Sequence, residues 1–317
     1  MIVAAKDAVA TIRSAVRSAL AEPETAEVVV VDDGSSDGTA QAARSADDGS
    51  GRLRVVVQDN TGPAEARNRA VAASTAPVWC VLDADDRFTP GRLGRLLAEA
   101  GDDWDLLADA IRFEHPEGAL NEELRPEGPY PRTLGFAEFV SANTPRRVRR
   151  VRELGFLQPL MRRSFCDRAG LAYRPALRLG EDYALYAEAL AAGARFVCVE
   201  PVGYVAVVTP ESLSQRHRAE DFLALRAFDR DLLAAARLGP KERRALDLHM
   251  RLMRLKGEYL RVTAALAEGR PLSALARGLA GPQVAGFLFN HLYRPRIARA
   301  VKRLLGRRGP APAPALP

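Results

Sequence analysis

Short apolar segments alternate with segments of helical periodicity through the first 110 residues of the chain. The apolar segments have the length and the β-branched content of buried strands, and the segments between them carry apolar residues at helical spacing. The predicted strands are 2–5, 28–31, 53–57, 78–82 and 104–108, and the predicted helices are 12–20, 36–45, 63–73 and 90–100. This alternation predicts an α/β fold with a mostly parallel central sheet and helices on both faces.

The remainder of the chain divides by composition. Residues 114–131 are polar and rich in proline and glutamate, which predicts a loop, and strand and helix patterns return over 136–208. From 219 the pattern is helical almost throughout, with breaks at 239–240, 269–271 and 281–282, where glycine and proline occur together. We therefore expect an α/β domain over 1–215, a helical C-terminal extension over 216–306 and a disordered tail over 307–317.

The charge balance and the cysteines limit the classes of function. A net charge of +6 and a pI near 9.5 favour anionic contacts, namely phosphates, nucleic acid or a membrane surface. The basic residues lack the interleaved aromatics of an RNA-binding sheet, so we expect no nucleic-acid partner. Cys80, Cys166 and Cys198 fit neither a zinc spacing nor a disulfide framework. Together with the lack of a leader-like start, these features predict a cytoplasmic protein.

Acidic residues follow two of the predicted strands directly. Asp32 and Asp33 come after a run of four valines, and Asp83 to Asp86 come after the strand at 78–82. The carboxyl ends of parallel strands form the edge of the sheet at which ligands bind. The segment "DDGSSDG" is not an EF-hand calcium loop, because Arg44 stands at its twelfth position. Asp32 and Asp33 therefore either fix a strand-to-helix turn or accept hydrogen bonds from a nucleobase or a ribose.

Asp83 and Asp85 are separated by one small residue in "VLDADDR". Crowded carboxylates repel each other and raise each other's pKa unless a cation lies among them. A divalent ion held by one or two carboxylates, with substrate phosphates completing its shell, is typical of magnesium and manganese sites. The alternative is a solvated acidic turn. An EF-hand is excluded because Phe88 stands where that motif needs glycine.

Glu181 and Asp182 open a predicted helix in "LGEDYALYAEAL". The helix dipole favours acids in a first turn, so these residues either stabilise the helix start or provide a general base. His217 stands alone, and we expect it to be a surface or structural residue rather than a metal ligand. The basic run at 146–150 is either a solvated face or a contact for phosphates.

Four motifs occur in a familiar order: "VVVDDGSSDGT", "TGPAEARNRAVAAS", "VLDADDRFTPGRL" and "GEDY". The ordered set resembles family 2 glycosyltransferases, an inverting family with the GT-A fold, and the resemblance covers about 2–208. It implies a Rossmann-like nucleotide-binding half joined to an acceptor-binding half. The segments "GEDYALYAEALAAGARF" and "ESLSQRH" look similar to bacterial exopolysaccharide enzymes, in particular succinoglycan-type glucosyltransferases.

The resemblance implies a nucleotide-sugar site. Asp33, with Asp32, would contact the nucleobase of a nucleotide sugar, usually a UDP-sugar, and Arg67 and Asp83 would belong to the same site. The chain departs from the family pattern after its first strand, where "Lys6-Asp7" stands in place of an aromatic residue followed by asparagine. That departure affects the edge at which a nucleobase would stack and leaves the later motifs unchanged.

The same resemblance implies a metal and a base. Asp85, with Asp83, would hold Mg²⁺ or Mn²⁺ on the diphosphate, and Asp182 would take a proton from the acceptor hydroxyl in a single displacement that inverts the sugar. The acceptor would be a glycan or a lipid-linked hydroxyl in surface or exopolysaccharide synthesis, and the transferred sugar would be glucose.

Two other classes share part of this pattern. A nucleotidyltransferase has a similar sheet and similar metal carboxylates. It usually carries a glycine-rich basic loop after the first strand, where this chain has "AAKDAVATI". A non-catalytic binding module with this fold would be expected to lack Asp182 or the Asp83–Asp85 pair, and the sequence has both.

The C-terminal segment is basic and amphipathic. No acidic residue occurs over 269–317, while arginine and lysine accumulate and apolar residues recur at helical spacing over 294–305. This pattern predicts either a basic helix on an anionic membrane, which would make the protein peripheral at the inner face of the plasma membrane, or a helix docked on the α/β domain.

Overall fold

The computed structural model describes residues 1–115, 120–144, 153–200, 203–208, 217–278 and 281–293. The strands are β1 (Ile2–Ala5), β2 (Val28–Asp33), β3 (Leu53–Gln58), β4 (Val78–Trp79), β5 (Arg87–Phe88), β6 (Leu106–Ala108), β7 (Ile111–Glu114), β8 (Leu120–Leu124), β9 (Arg132–Leu134), β10 (Leu160–Arg162), β11 (Phe196–Cys198) and β12 (Tyr204–Val207). The helices are α1 (Ile12–Leu20), α2 (Thr39–Arg44), α3 (Pro63–Ala73), α4 (Arg92–Ala100), α5 (Phe136–Ala142), α6 (Arg163–Ala169), α7 (Glu181–Ala191), α8 (Ala219–Ala235), α9 (Pro240–Ala267), α10 (Pro271–Gly278) and α11 (Pro282–Leu288).

The first strands form the predicted parallel sheet. β1 pairs with β2 and β2 pairs with β3, both in parallel. On the other side of β1, the Ile2 amide donates to the Cys80 carbonyl and the Leu82 amide donates to the Ile2 carbonyl, so the chain after β4 also runs parallel to β1. The parallel half of the sheet therefore has the order β3-β2-β1-β4, and the four carboxyl ends lie at one edge.

The second half of the sheet is mixed. Beyond β4 the order continues β10-β6-β11-β9, with β10 antiparallel to both of its neighbours, β6 parallel to β11 and β9 antiparallel to β11. A smaller sheet has the order β5-β12-β7-β8. The prediction of a parallel sheet thus holds for the strands that precede the acidic clusters.

The strand order reverses between β1 and β4. The chain adds β2 and β3 on one side of β1 and then returns through α3, which contacts β1 and β2, to place β4 on the other side. Right-handed crossovers require α3 to lie on the opposite face of the sheet from α1 and α2, which contact each other. Such a reversal opens a crevice at the carboxyl ends of the strands, and both acidic clusters follow strands that end there.

The helices after 217 pack in two places. Apolar side chains of α8 and of the first half of α9, among them Phe222, Phe228 and Leu246, belong to the same core as the sheet. The end of α9 forms a second, smaller cluster with α10 and α11, which includes Val262 and Val284. α9, α10 and α11 each begin at the proline of a predicted break, because proline is tolerated in the first turn of a helix. The domain boundaries at 215 and 306 stay predictions.

Two predicted elements differ from the structure. The helix predicted over 36–45 begins at Thr39, with Gly38 as its N-cap residue. The Ser35 hydroxyl, which precedes it, accepts a hydrogen bond from the Asp7 amide. The loop predicted over 114–131 contains β8, which pairs antiparallel with β7. β8 is an edge strand, and edge strands carry polar residues that hide the strand pattern.

Several predictions fall on residues that lie outside the described ranges. They are the basic run at 146–150, the basic amphipathic helix at 294–305 and the tail at 307–317. In the ranges that are described, no helix is both long enough and apolar enough to cross a membrane.

Candidate active site

Three elements bring charged side chains together beyond the β1–β4 reversal. The chain leaving β4 provides Asp83 and Asp85, the buried face of α3 provides Arg67, and the first turn of α7 provides Glu181 and Asp182. α7 begins after Gly180, which adopts a left-handed conformation (φ +78°) that favours glycine. The motifs that are separated by about a hundred residues in the sequence therefore meet at one place.

Arg67 lies at the centre of this group. Its side chain is 8% exposed; Nη2 lies 2.8 Å from Asp83 Oδ1 and 3.9 Å from Asp182 Oδ2, and Nη1 lies 2.5 Å from Glu181 Oε1. Its guanidinium also lies 5.4 Å from the centre of the Tyr173 ring. A buried cation surrounded by three carboxylates is held firmly in its charged form, and the pKa of Arg67 is raised well above its usual value despite the opposing effect of burial.

Asp182 is a buried carboxylate among other charged groups. Its side chain is only 16% exposed, and its Oδ1 makes no hydrogen bond to any described residue. Burial raises its pKa to about 7, with the charges of Glu181 and Asp83 acting in the same direction and Arg67 acting against them. A carboxylate with a pKa near neutrality can accept a proton from a hydroxyl and release it again at physiological pH.

The acidic cluster after β4 contains three carboxylates with different surroundings. Asp86 accepts hydrogen bonds from the Tyr204 hydroxyl and the Val207 amide, which fix the turn. Asp83 accepts from Arg67 and, at 3.4 Å, from Gln158. Asp85 makes no hydrogen bond or ion pair with any described residue, and burial together with Asp83 raises its pKa to about 6. The cluster is therefore partly withdrawn from solvent, with Asp86 buried and Asp83 paired, while Asp85 has no partner among the described residues.

These carboxylates fit a divalent cation. An unpartnered, partly buried carboxylate beside a second one is stabilised in its charged form by a bound cation. No group of three or more histidine, cysteine or acidic side chains is arranged to hold a metal among the described residues. Asp85, with Asp83, would therefore supply only part of a coordination shell, as in sites where substrate phosphates provide the other oxygens.

Asp32 and Asp33 are buried at the end of β2 and hold turns. Asp33 Oδ1 accepts hydrogen bonds from the Gln58 side chain and from the amide and hydroxyl of Thr61, and Oδ2 accepts one from the Gly62 amide. Asp32 accepts from the Ser35 amide. Asp32 thus bonds within the turn that follows β2, whereas Asp33 fixes the segment between β3 and α3. Asp33 Oδ2 accepts one hydrogen bond from the described residues, and a carboxylate oxygen can accept a second.

The remaining predicted residue, His217, lies away from these contacts. Its ring packs against Phe222 with 5.1 Å between ring centres, and burial lowers its pKa. Its Nδ1 is buried and has no hydrogen-bond partner among the described residues, and its structural role stays a prediction. A surface cavity of about 480 Å³ lies between the end of β3 and α3, lined by Gln58, Asp59, Thr61, Glu65, Asn68, Arg69 and Ala72, and none of the acids around Arg67 lines it.

Sequence reasoning missed the residues that support the acidic groups. The Gln158 side chain joins Asp83 to the Tyr186 hydroxyl of α7, and Tyr204 donates to Asp86. Arg92 forms a buried ion pair with Asp109 beside the Tyr204 ring. Gln158, Asp109 and Tyr204 stand outside the four motifs, so no local signal in the sequence points to them.

Comparison with known proteins shows the family of the chain. The family described as "Glycosyl transferase family 2" matches residues 1–153. Succinoglycan biosynthesis protein ExoU of Rhizobium meliloti is 51% identical over 257 residues, which cover 80% of this chain and 75% of that protein. Succinoglycan biosynthesis protein ExoO of the same organism is 32% identical over 310 residues, covering 96% and 86%.

Two solved structures share the fold. S. aureus TarS 1–349 in complex with UDP-GlcNAc superposes with a TM-score of 0.63 at 18% identity, covering 98% of this chain and 92% of TarS 1–349. The mannosyltransferase PcManGT of Pyrobaculum calidifontis, in complex with GDP-Man and Mn²⁺, gives a TM-score of 0.55 at 18% identity, covering 97% and 87%.

The family match, the relatives and the fold thus define a glycosyltransferase of the GT-A type. The chain belongs to glycosyltransferase family 2. The family resemblance of the four sequence motifs is confirmed.

Proposed function

We propose that the protein is a metal-dependent inverting glycosyltransferase. It transfers a sugar, which we propose to be glucose, from a UDP-sugar to a hydroxyl of a glycan or lipid-linked acceptor. The observation that carries the proposal is that one buried cation, Arg67, contacts acids of two motifs: Nη2 lies near Asp83 and Asp182, and Nη1 lies near Glu181. A transferase needs its leaving group and its base within one substrate length of each other, and the shared Arg67 nitrogen keeps Asp83 and Asp182 that close.

The proposed donor is a UDP-sugar. TarS binds UDP-GlcNAc and PcManGT binds GDP-Man, so the fold accepts more than one nucleotide. For this chain we assign the nucleobase side to Asp33, with Asp32 behind it, because Asp33 Oδ2 accepts a single hydrogen bond and can accept another from a base N–H. Arg67 and Asp83 complete the proposed donor site.

The proposed metal site is Asp85 with Asp83. A bound Mg²⁺ or Mn²⁺ would offset the negative charge of the diphosphate. Asp85 presents an unpartnered carboxylate for it, while Arg67 holds Asp83 in place. Asp86 and Tyr204 keep the turn rigid, so that the two ligands do not separate.

The proposed base is Asp182. Its carboxylate would take the proton of the acceptor hydroxyl as that oxygen attacks the anomeric carbon and the bond to UDP breaks. Glu181, paired with Arg67, would hold α7 in position instead of reacting. One carboxylate is enough for a single displacement with inversion, unlike the carboxylate pair of a glycoside hydrolase.

We assign this activity to surface polysaccharide synthesis, because the two relatives with the highest coverage are named for succinoglycan biosynthesis. A lipid-linked acceptor would make contact with the membrane useful. Leu272 and Leu275 of α10 are 80% and 58% exposed, and the basic segment follows them in the sequence. We propose that this end of the protein binds the anionic inner leaflet peripherally. Vesicles with anionic lipid should bind the chain and release it at high salt, and neutral vesicles should not.

A donor screen tests the proposed activity. Purified protein, Mn²⁺ or Mg²⁺ and a panel of UDP-, GDP- and dTDP-sugars would be incubated with and without a membrane extract as the acceptor source, and the released nucleotide would be measured. We expect UDP release that depends on metal and is strongest with UDP-glucose. Release of pyrophosphate would support a nucleotidyltransferase, and nucleotide binding without any turnover would support a binding module.

A further inference from the structure

Asn68 holds the backbone of Tyr173 with two hydrogen bonds. The Asn68 side-chain amide donates to the Tyr173 carbonyl at 2.8 Å, and its side-chain oxygen accepts from the Tyr173 amide at 2.8 Å. Asn68 is the neighbour of Arg67 on α3, whereas Tyr173 lies in the segment between α6 and α7. This pair of bonds therefore places the Tyr173 ring against the Arg67 guanidinium, 5.4 Å from it.

Three buried polar atoms near that ring have no partner among the described residues. They are the Tyr173 hydroxyl, Arg67 Nε and Asp182 Oδ1. The Tyr173 hydroxyl and the Asp182 carboxylate lie close enough for each to alter the titration of the other. Tyr173 is 3% exposed, and a buried hydroxyl without a hydrogen-bond partner destabilises the folded state.

We infer that Tyr173 is a positioning residue for the base: in the reacting complex its hydroxyl donates a hydrogen bond to Asp182, which directs the free side of that carboxylate at the acceptor hydroxyl. This inference rests on the proposed function, since it needs Asp182 to be the base. The hydroxyl has no other partner among the described residues to give up. Asn68 holds the Tyr173 backbone, and with it the ring, beside Arg67, which itself lies 3.9 Å from Asp182.

The charges around Asp182 come from three directions. The charged neighbours of Asp182 are Arg67 on α3, Glu181 on α7 and Asp83 in the turn after β4. Its uncharged neighbours are Tyr173 and Tyr186. Tyr186 already donates to Gln158. Tyr173 is therefore the neighbouring hydroxyl that is available to stabilise the charged form of Asp182.

The variant Tyr173→Phe separates this role from a structural one. Because none of the described residues lies in hydrogen-bonding geometry with the hydroxyl, its removal should leave the midpoint of thermal unfolding unchanged or slightly raised. We expect kcat for sugar transfer at pH 7 to fall about tenfold while the donor KM stays the same, since a hydrogen bond to a charged group is typically worth that much. The acidic limb of the pH–rate profile should move to higher pH by about one unit.

Tyr259→Phe is the matched control. Tyr259 packs on Phe287 in the cluster of α9 and α11, away from the acidic groups, and its change should leave transfer unchanged. Asn68→Ala, which releases the Tyr173 backbone, should lower kcat in the same direction as Tyr173→Phe.

Asp182→Asn, measured alongside, distinguishes the two possible failures. If Asp182→Asn abolishes transfer but Tyr173→Phe has normal kcat and an unmoved acidic limb, the role of Tyr173 is wrong and the proposed function stands. If Asp182→Asn transfers normally, the proposed base is wrong. A rise in donor KM with unchanged kcat in Tyr173→Phe would make Tyr173 a donor contact and would also overturn the inference.

Discussion

Replacing Arg67 with methionine is the sharpest test of how the site is held together. Arg67 is 8% exposed and its partner Glu181 is 11% exposed, so their ion pair is almost fully withdrawn from water. Methionine fills a similar volume but leaves Glu181, Asp182 and Asp83 without their shared cation. Removing one partner of a buried ion pair typically costs about 3–5 kcal/mol. We expect the free energy of unfolding of Arg67→Met at pH 8 to be lower than that of wild type by roughly that amount.

The pH dependence of this loss follows from the carboxylates. In the folded protein the pKa of Asp182 is raised to about 7 from an unfolded value near 3.8, so its ionisation destabilises the fold as pH rises through that interval. Without Arg67, which opposes the rise, the pKa of Asp182 should rise further. The destabilisation should therefore be largest above pH 7 and should shrink toward pH 5, where the carboxylates that remain can be protonated.

Chemical denaturation of wild type and Arg67→Met at pH 5 and pH 8 measures this difference. The control is Arg69→Met on the same helix, because Arg69 is exposed and makes one long hydrogen bond to Gln58. We expect the control to change the free energy of unfolding by less than about 0.5 kcal/mol. The reasoning is refuted if Arg67→Met costs no more than Arg69→Met, or if its cost is the same at both pH values.

Two further changes have definite expected outcomes. In chelator, Asp85→Asn should raise the thermal midpoint, because it removes a carboxylate whose pKa is raised to about 6 by burial and by Asp83. The variant should also lose the stabilisation that Mn²⁺ gives to wild type, and its rate of sugar transfer should fall roughly 10²–10³-fold. A wild-type midpoint that does not respond to Mn²⁺ would contradict this. Gly180→Ala should cost about 1–3 kcal/mol in chemical denaturation, because the new Cβ would lie 2.7 Å from a Leu225 methyl group at φ +78°; an unchanged free energy of unfolding would show that α7 can shift without penalty.

The sequence predicts the framework of this protein well, because the framework is local. The valine run of β2 and the periodicity of α3 are visible within about ten residues, and the structure has α3 at the predicted bounds, Pro63–Ala73. β8 was not predictable in the same way, since its polar residues become a strand only by pairing with β7. The hydrophobic periodicity of a strand or helix reflects the burial of one of its faces, and an edge strand buries little of its surface.

The acidic residues of the candidate site could be predicted from the sequence, whereas most of the residues that contact them could not. Carboxylates at the end of a buried strand or in the first turn of a helix indicate a bound ligand or a structural role, and this pattern singles out Asp83, Asp85 and Asp182. The role of Arg67 as the common partner of acids from two motifs depends on contacts across 114 residues, which no local pattern carries. Tyr173 and Gln158 are ordinary residues in unremarkable segments until the fold brings them to the carboxylates.

The central claim is that Asp182 is the base of a metal-dependent sugar transfer, and one paired measurement tests it most directly. Asp182→Asn and Glu181→Gln would each be assayed for sugar transfer and, separately, for binding of the donor nucleotide in Mn²⁺. We predict that Asp182→Asn binds the nucleotide as wild type does and loses transfer by roughly 10²–10⁴-fold, because asparagine keeps the shape and cannot accept the proton, while Glu181→Gln loses much less. Normal transfer by Asp182→Asn, with Glu181→Gln inactive, would contradict the account by moving the base one residue earlier, and activity in both would remove the base from this helix altogether.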